Sequence, residues 1–239
     1  MTGTPALFDV LEATWPPVDR HALGGWIIRN GGGGGQRVSA ATQDSPDLPD
    51  ISLAENAMRS LGQAPLFMVR PGQDALDAAL ESRGYTVNDP TLLFACPIGI
   101  LTQVPVPPMT AFPIWPPLAI QREIWAAGGV GPTRIEVMER VKGPKTALLA
   151  RASERAAGAA FVAVARKTAM IHALEVIPTL RRQGVANNML RAAAHWAQDQ
   201  GAHEFSLAVT AANTGANALY LRAGLQVVGN YHYRIKNKK

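Results

Sequence analysis

A short basic loop in the last third of the sequence contains residue types that suit an anion. Arg181, Arg182 and Gly184 lie between an apolar segment that predicts a strand, Met170 to Ile177, and a segment that predicts a helix, Asn187 to Gln200. The first amides of a helix have no intrahelical partner and lie at the positive end of the helix dipole. Arginine adds charge for phosphate, and glycine lets a ligand approach the backbone closely. The loop therefore predicts a phosphate site, with an ordinary strand-to-helix turn as the alternative.

A second set of polar residues lies on a later predicted helix, Asn213 to Ala223. Ala216 and Tyr220 are four residues apart and so share one helix face, whereas Asn213 lies at or near the N-cap. The small Ala216 side chain permits close approach of a ligand, and Tyr220 projects its hydroxyl from the same side. The alternatives are a half-buried core tyrosine for Tyr220 and a simple helix cap for Asn213.

The elements that position these residues follow from the hydrophobic pattern. Pro178 ends the strand before the loop, because proline cannot donate to a sheet ladder. The helix after the loop has apolar or small residues at the spacing of one buried face, and Gly201 ends it. Short separations between the strands before the loop predict antiparallel neighbours. The strands predicted in this half are 146–151, 159–165, 170–176, 204–209 and 225–235.

Both polar segments resemble signatures of the GNAT superfamily of N-acetyltransferases. The order Arg181-x-x-Gly184-x-Ala186 resembles the R/Q-x-x-G-x-G/A loop that holds the pyrophosphate of acyl-coenzyme A in that family. The second signature, N-x-x-A-x-x-L-Y-x-x-x-G-F, is matched at Asn213, Ala216, Leu219, Tyr220 and Gly224. Leu225 replaces its phenylalanine, which is a like-for-like apolar change. The two motifs fall in the family's order, and the resemblance is strongest over 176–235.

The resemblance implies an α/β (α+β) GNAT fold, with a mixed, mostly antiparallel sheet flanked by helices. It also implies direct transfer of an acetyl group from acetyl-CoA, as cosubstrate, to a small-molecule or peptide amine. The strand that ends at Val176 is expected to splay from the strand 204–209 and to admit the pantetheine arm. The residues then expected to bind acetyl-CoA are Val176, Ile177, Arg181, Arg182, Gln183, Gly184, Val185, Ala186, Asn213, Ala216 and Tyr220.

Catalytic roles follow from the same resemblance. The family's equivalent of Tyr220 protonates the departing coenzyme A thiolate. An amine acceptor must also lose a proton, so a general base or a water chain is needed. His172 and Glu175 lie on the strand before the loop, but residues three apart point to opposite faces of an ideal strand unless a bulge intervenes. His172, Glu175 and an ordered water therefore remain alternatives for the base.

The first half of the sequence resembles a degenerate GNAT repeat, as in tandem bacterial acetyltransferases. Its predicted elements end in Arg83-Gly84-Tyr85, but no pyrophosphate loop lies between Ser39 and Leu53. We therefore predict two GNAT-like halves. Residues 1–104 form a degenerate domain that shapes the acceptor side, 105–117 a proline-rich connector, and 118–239 the acetyl-CoA-binding domain.

Two further segments carry structural expectations. The glycine run 31–35 predicts a flexible hairpin tip, followed by a strand from Gln36 to Ala40. The aromatic residues within 230–234 are expected to line the acceptor pocket, or else to alternate along a strand with one buried face.

Composition limits the remaining functional classes. The 239 residues are 47% hydrophobic and 17% charged, which indicates a folded core. The net charge of +5 and the basic end 234–239 suit nucleic acid, but aromatic interleaving and known motifs are missing, so we predict no nucleic-acid partner. The single cysteine, Cys96, indicates a reducing compartment. Signal-peptide and membrane-length patterns are also missing, so we predict a cytoplasmic protein without a membrane partner.

Some questions stay open in the sequence. Metal-ligand spacing is not found among the Cys, His and carboxylate residues, so we predict no metal. The oligomeric state is open between a monomer and a homodimer. The main alternative to an enzyme is a non-catalytic sensor or scaffold that binds acyl-CoA.

Overall fold

The computed structural model describes residues 4–236, whose strands form two sheets. The elements before the connector are α1 (Thr4–Thr14), β1 (Asp19–Leu23), β2 (Trp26–Asn30), α2 (Gln36–Ser39), β3 (Thr42–Gln43), α3 (Ile51–Ser60), β4 (Leu66–Val69), α4 (Asp74–Ser82), β5 (Thr86–Pro97) and α5 (Gly99–Thr102). Those that follow are β6 (Ala111–Ile114), α6 (Ala119–Ala127), α7 (Pro132–Arg140), β7 (Lys145–Ala152), β8 (Arg155–Ala165), β9 (Thr168–Val176), a 3₁₀ turn (Pro178–Leu180), α8 (Val185–Asp199), β10 (Glu204–Thr210), α9 (Thr214–Arg222) and β11 (Gln226–Ile235).

The larger sheet has eight strands in the order β4-β11-β5-β10-β9-β8-β7-β6, and β1, β2 and β3 form the smaller one. Within the larger sheet every neighbouring pair is antiparallel except β9 and β10, which run parallel. The predicted mixed, mostly antiparallel sheet is therefore confirmed.

Strand β8 shows how the helices cover both faces of this sheet. Its residues Ala160 and Val162 pack in the cluster that contains the apolar face of α8. Ala159 and Phe161 pack instead with residues of α6 and α7. Because successive side chains of a strand point to opposite faces, a strand that is apolar throughout is buried on both. α1 also contacts β8 and β9, and Trp15, which follows it, packs edge-on against Phe161.

The two halves of the chain interleave in the larger sheet. The C-terminal strand β11 lies between β4 and β5 of the first half, and β5 lies between β10 and β11 of the second half. Each half thus contributes a strand–helix–strand unit, β4-α4-β5 or β10-α9-β11, whose last strand pairs with the other unit. The predicted connector 105–117 therefore does not divide the chain into two separate sheets, and part of it forms the edge strand β6. The domain limits at residues 1 and 239 lie outside the described residues, as does the end of the basic tail, 237–239.

The parallel strands β9 and β10 separate partway along their length. Their pairing extends only from Thr168 and Glu204 to Ile171 and Leu207, although β9 continues to Val176. The predicted splay is therefore present. On the other side of β9, the register against β8 shifts between Ala159 and Phe161, and Ala173 has a φ of 48°. This combination is a β-bulge, which bends the strand and increases its twist.

Two predictions for the first half were wrong. The turn of the β1–β2 hairpin lies at Gly24 and Gly25, not at the glycine run. Residues 31–35 instead connect β2 to the short helix α2, where a strand was predicted from Gln36 to Ala40. The run is close to α7, because the Gly33 carbonyl accepts a 2.9 Å hydrogen bond from Thr133 Oγ1 and a Cβ at Gly34 would lie 2.6 Å from Val137 Cγ2.

A helix that crosses a bilayer must be both long and apolar. No helix within residues 4–236 meets both requirements.

We predict that the ion pair between α4 and β11 stabilises the interleaved sheet. Arg234 is 4% exposed, and its Nε and Nη2 donate to Oδ1 and Oδ2 of Asp77 at 2.7 and 2.9 Å. In Asp77→Asn, we expect the free energy of unfolding at pH 7 to fall by about 3 kcal/mol, because the buried guanidinium loses its bidentate counter-charge and keeps only the exposed Glu81 at 3.8 Å. Urea titration measures this change.

The matched control is Asp74→Asn, an exposed carboxylate on the same helix, for which a change below about 0.5 kcal/mol is expected. Hydrogen bonding by Arg234 lowers the pKa of Asp77. Its stabilisation is therefore present above the unfolded-state pKa and is lost as pH falls through the lower folded-state pKa. Equal losses in the two variants would contradict the prediction.

Candidate active site

Two cavities meet where β9 and β10 separate. One, of about 520 Å³, is lined by the basic loop, the start of α8 and one face of α9, and we call it the loop cavity. The other, of about 410 Å³, is lined by residues of both halves of the chain, and we call it the inter-half cavity. The residues that line both cavities are Leu174, Glu175, Asn213 and Tyr220.

The start of α8 opens into the loop cavity. Gly184 is the N-cap residue with φ 80° and ψ −3°, a left-handed conformation that favours glycine, and a Cβ there would meet nothing within 4 Å. No side chain caps α8, whereas Asp50 accepts from Ser52 N–H at α3 and Asn213 accepts from Ala216 N–H at α9. The first amides of α8 therefore have open space in front of them, and this space is part of the loop cavity.

Most of the residues predicted to bind the cosubstrate lie in one place. Those that line the loop cavity are Val176, Arg181, Arg182, Gly184, Val185, Ala186, Asn213, Ala216 and Tyr220. Arg181 and Arg182 are exposed, and Arg181 Nε donates to the Val176 carbonyl at 3.2 Å. The loop thus folds back on the end of β9 and presents its positive charge at the cavity mouth.

Two predicted contacts do not lie in the loop cavity. The Ile177 amide donates to the Ala157 carbonyl of β8 at 2.9 Å, so it points away from β10. Ile177 lines a separate cavity beside α6. Gln183 is exposed in the turn before Gly184 and lines none of the cavities described here. Both residues have the right sequence position, but the direction of the backbone turns them outward.

Tyr220 lies at the junction of the cavities. It is 7% exposed, and its ring packs 5.7 Å from that of Phe94. Burial and the nearby charge of Glu175 raise the pKa of Tyr220 to about 12. The phenol therefore keeps its proton at neutral pH, as a proton donor must.

The bulge at Ala173 changes the relation between His172 and Glu175. In an ideal strand they would point to opposite faces, but here both line the inter-half cavity. Ala173 and Leu174 together oppose Ala160, so the alternation of side chains is offset by one residue. The Ala173 carbonyl accepts a 2.8 Å hydrogen bond from the indole Nε1 of Trp125, which satisfies this part of the bulged backbone.

His172 has both ring nitrogens engaged. Its Nδ1 lies 3.3 Å from Arg37 Nη1, and its Nε2 lies 2.9 Å from Thr14 Oγ1. A guanidinium only donates, so Nδ1 accepts and Nε2 carries the proton that it donates to Thr14. The ring also stacks on Trp15 at 4.9 Å. Burial, together with the charge of Arg37, holds the pKa of His172 well below 6.5, so the ring is neutral.

Glu175 has a different environment. Its side chain packs against Gly128, where a Cβ would lie 2.6 Å from Glu175 Cδ. Within residues 4–236 no cation forms an ion pair with this carboxylate. Burial raises the pKa of Glu175, and the charges of Arg181 and Arg134 partly oppose that rise. The carboxylate is thus unpaired at the junction of the cavities, with an increased affinity for a proton.

Some residues that line the two cavities were not predicted from the sequence, and others were. Arg222 adds a third arginine to the loop cavity from the last turn of α9, and its position beside the second motif was the available signal. Trp15, Arg37 and Asp89 enter the inter-half cavity from the first half, which only the tertiary structure reveals. Tyr231 and Tyr233, from the segment expected to line a pocket, do line this cavity.

Among the described residues, no group of three or more His, Cys, Asp or Glu could hold a metal ion.

Comparison with known proteins identifies the part of the chain that forms this site. Residues 116–225 match the model of the Acetyltransferase (GNAT) family. We call this matched segment, residues 116–225, the GNAT domain. It includes β9, the basic loop, α8, β10 and α9, and therefore every residue of the loop cavity.

Proteins that are similar to most of the chain are named as N-acetyltransferases or as GNAT proteins. The chain is 26% identical over 240 residues to the uncharacterised N-acetyltransferase YobR of Bacillus subtilis (strain 168), covering 94% of this chain and 95% of that protein. A GCN5-related N-acetyltransferase from Kribbella flavida has the same fold, with a TM-score of 0.75 at 18% identity, over 100% of this chain and 98% of that one. A tandem GNAT protein of the clavulanic acid biosynthesis pathway aligns with a TM-score of 0.60 at 13% identity, over 95% and 86%. These structural likenesses extend the fold beyond the GNAT domain into the first half.

We predict that the neutral His172 makes stability depend on pH. The unfolded state binds a proton near pH 6.5, whereas the folded ring does not, so stability is complete above that value and falls below it. This term lowers the free energy of unfolding by about 1 kcal/mol between pH 7.5 and 5.5. Denaturant titrations at the two pH values measure it.

In His172→Gln this part of the decline disappears. His203→Gln is the matched control, because His203 is exposed, and it should keep the decline of the wild type. The same pH dependence in all three proteins would show that His172 is charged in the folded state.

Proposed function

We propose that the protein is an N-acetyltransferase that moves an acetyl group from acetyl-CoA to the amine of a small molecule or peptide. One observation carries the proposal: the loop cavity and the inter-half cavity of a GNAT domain meet at Glu175 and Tyr220. A cosubstrate in one cavity and an acceptor in the other would therefore come together beside a candidate base and a candidate acid.

The loop cavity has the features that a diphosphate needs. The uncapped amides at Val185 and Ala186 lie behind a left-handed Gly184, and anions are stabilised at such a helix start. Arg181, Arg182 and Arg222 line the same cavity and add charge. Ala216 has a side chain small enough to leave room for an extended arm between α9 and the end of β9.

The two groups at the junction account for the proton transfers of acyl transfer. The amine nitrogen forms a bond to the acetyl carbon, and the bond between that carbon and sulfur breaks. Glu175 accepts the proton that the amine loses, because its carboxylate is unpaired and lines both cavities. Tyr220, which is protonated at neutral pH, donates a proton to the thiolate. We assign His172 to the support of the cavity wall, because both of its nitrogens are hydrogen-bonded.

The first half closes the acceptor side in this proposal and forms a second, degenerate GNAT-like half. Its own helix α3 begins at a side-chain cap, Asp50, and two further aspartates, Asp44 and Asp47, precede it. Negative charge at a helix start disfavours phosphate. All residues that line the loop cavity belong to 174–222, so a single cosubstrate site serves both halves.

A pair of glycine variants tests the cosubstrate site. Gly184 and Gly201 lie at opposite ends of α8 with φ of 80° and 81°, and a Cβ at either meets nothing within 4 Å. Substitution by alanine should therefore cost each variant about 1 kcal/mol of stability from left-handed strain. Only Gly184→Ala should weaken CoA binding, by about tenfold or more, because its Cβ occupies the space before the amides.

Isothermal titration with CoA and urea titration provide the two measurements. Equal CoA affinities for the two variants would place the diphosphate elsewhere. A wild-type protein that takes up no CoA would remove the proposed function itself.

Variants at the junction test catalysis. Tyr220→Phe and Glu175→Gln should each lower kcat by roughly 10²- to 10⁴-fold while leaving CoA affinity within about twofold, because each removes a proton-transfer group. Activity of the wild type should rise with pH through the raised pKa of Glu175, since the base must be ionised, and Glu175→Gln should lack this rise. Thiol release from acetyl-CoA with a panel of amines measures both. Full activity in both variants would exclude these roles.

A further inference from the structure

We infer that the acceptor carries a carboxylate in addition to its amine, and that Arg37 and Tyr231 bind this carboxylate in the inter-half cavity. This inference rests on the proposed function, because it concerns the acceptor of the same site. It names the chemical class of substrate that the proposed function leaves open.

Arg37 is a cation without a counter-charge inside the cavity. It lies on α2, directly after the glycine run, and lines the inter-half cavity. Its Nη1 lies 3.3 Å from His172 Nδ1, and its buried Nε has no hydrogen-bond partner. Within the described residues no carboxylate lies within 4 Å of its guanidinium. Since a guanidinium has five donors and is always charged, this arrangement leaves most of its capacity free.

Other buried arginines of the chain show what Arg37 lacks. Arg29 and Arg234 are each 4% exposed. Arg29 pairs with Glu12 at 2.9 Å, and Arg234 pairs with Asp77 at 2.7 Å. Burying an unpaired charge is costly, so these pairs are the expected arrangement. The missing partner of Arg37 is the group that a ligand with a carboxylate would supply.

Arg70 is a useful comparison because its Nε is also buried without a partner. Its guanidinium lies 4.3 Å above the ring of Phe8, and the carboxylates of Glu12 and Asp9 act on it electrostatically. It does not line the inter-half cavity. Arg70 therefore has carboxylates that compensate its charge, whereas the side chains that contact or act on Arg37 are His172, Tyr231 and Tyr233, which are neutral.

Tyr231 provides an independent second observation. It is 2% exposed, and its buried hydroxyl has no hydrogen-bond partner although the residue lines the inter-half cavity. Tyr233 is 4% exposed, lines the same cavity and packs edge-on against Tyr231 at 5.5 Å. Both tyrosine side chains act on the Arg37 guanidinium by charge and by long side-chain hydrogen bonding, and both raise its pKa. Buried hydroxyls are almost always hydrogen-bonded, so an orphan beside an unpaired guanidinium points to a shared acceptor.

A carboxylate satisfies both orphans at once. It accepts two parallel hydrogen bonds from a guanidinium, and a third from a phenol. The amine end has its own counter-charges, since Glu175 lies at the junction and the exposed Asp89 lines the same cavity. A purely cationic acceptor such as a polyamine would meet Arg37 and Arg134 without compensation. The charges of the cavity therefore favour an amino acid or another amine that also bears a carboxylate.

Matched acceptors test the inference on the full-length protein. Thiol release from acetyl-CoA is measured with the common L-amino acids and ω-amino acids, with the corresponding carboxamides, and with spermidine. We expect at least one acid to exceed its own amide by tenfold or more in kcat/KM. In Arg37→Gln that preference should fall to within about twofold, mainly through a higher KM for the acid.

Further variants separate binding from a purely structural role. Tyr231→Phe removes only the unpartnered hydroxyl, so it should keep the Tm and the CoA affinity and reduce the preference for the acid severalfold. Arg37→Lys should recover part of that preference. Arg83→Gln, an exposed arginine that lines neither cavity, is the matched control and should keep the wild-type preference.

The outcomes distinguish this inference from the proposed function. Turnover of amides or spermidine at least equal to that of the acids, or an acid preference unchanged in Arg37→Gln, would overturn the carboxylate site while the enzyme stands. If CoA binds but none of the acceptors is acetylated, calorimetry of the acids with the CoA complex decides. Binding that Arg37→Gln abolishes would support the site without catalysis, and the lack of such binding would overturn it.

Discussion

A single bulge in β9 organises the site. At Ala173 the backbone takes a left-handed conformation, and its carbonyl leaves the ladder with β8 to accept from the buried Trp125. A bulged residue loses its place in the sheet, so it persists only where other groups satisfy it. β9 and β10 are unpaired beyond Ile171 and Leu207, just before the bulge, and the gap between them becomes the junction of the two cavities. The offset also turns His172 and Glu175 towards the same cavity.

The bulge alone does not make a closed site, because the GNAT domain provides only part of the inter-half cavity. The first half completes it with Trp15, the segment 34–37, Asp89 and Thr91, and β11 adds Tyr231 and Tyr233. The interleaving of β5 and β11 holds these residues in place, because each of the two strands lies between two strands of the other half. Closure of the cavity is thus a consequence of the sheet order, and without the first half β10 and β11 would expose unpaired edges.

Charge is distributed unevenly between the two cavities. The loop cavity has arginines at its mouth and uncapped amides behind them, which is a simple arrangement for phosphate. The inter-half cavity contains both signs: Arg37 and Arg134 on one hand, Glu175 and Asp89 on the other. Buried charges tend to be paired. An unpaired cation and an unpaired carboxylate in one cavity therefore suit a ligand that carries both a negative and a positive charge. In the proposed function, the fold thereby separates the recognition of the cosubstrate from that of the acceptor.

The sequence by itself determined most elements of the GNAT domain and most residues of the loop cavity. Those features depend on local rules: the helix face that places Ala216 above Tyr220, the glycine before α8, and the asparagine cap of α9. It also predicted the mixed sheet and the splay of β9 from β10. It did not predict that Ile177 and Gln183 turn away from the cavity. The direction in which a single residue points depends on the local path of the backbone, and a sequence motif does not specify that path.

Only the tertiary structure decided how the first half takes part. Arg37 lies 135 residues from the His172 that it contacts, and no pattern in the sequence relates the two. The glycine run reads as a flexible turn from composition, yet its path is set by packing against α7. The bulge at Ala173 likewise depends on Trp125, 48 residues away. Such contacts arise from the packing of distant segments, whereas hydrophobic periodicity and capping report only on neighbours along the chain.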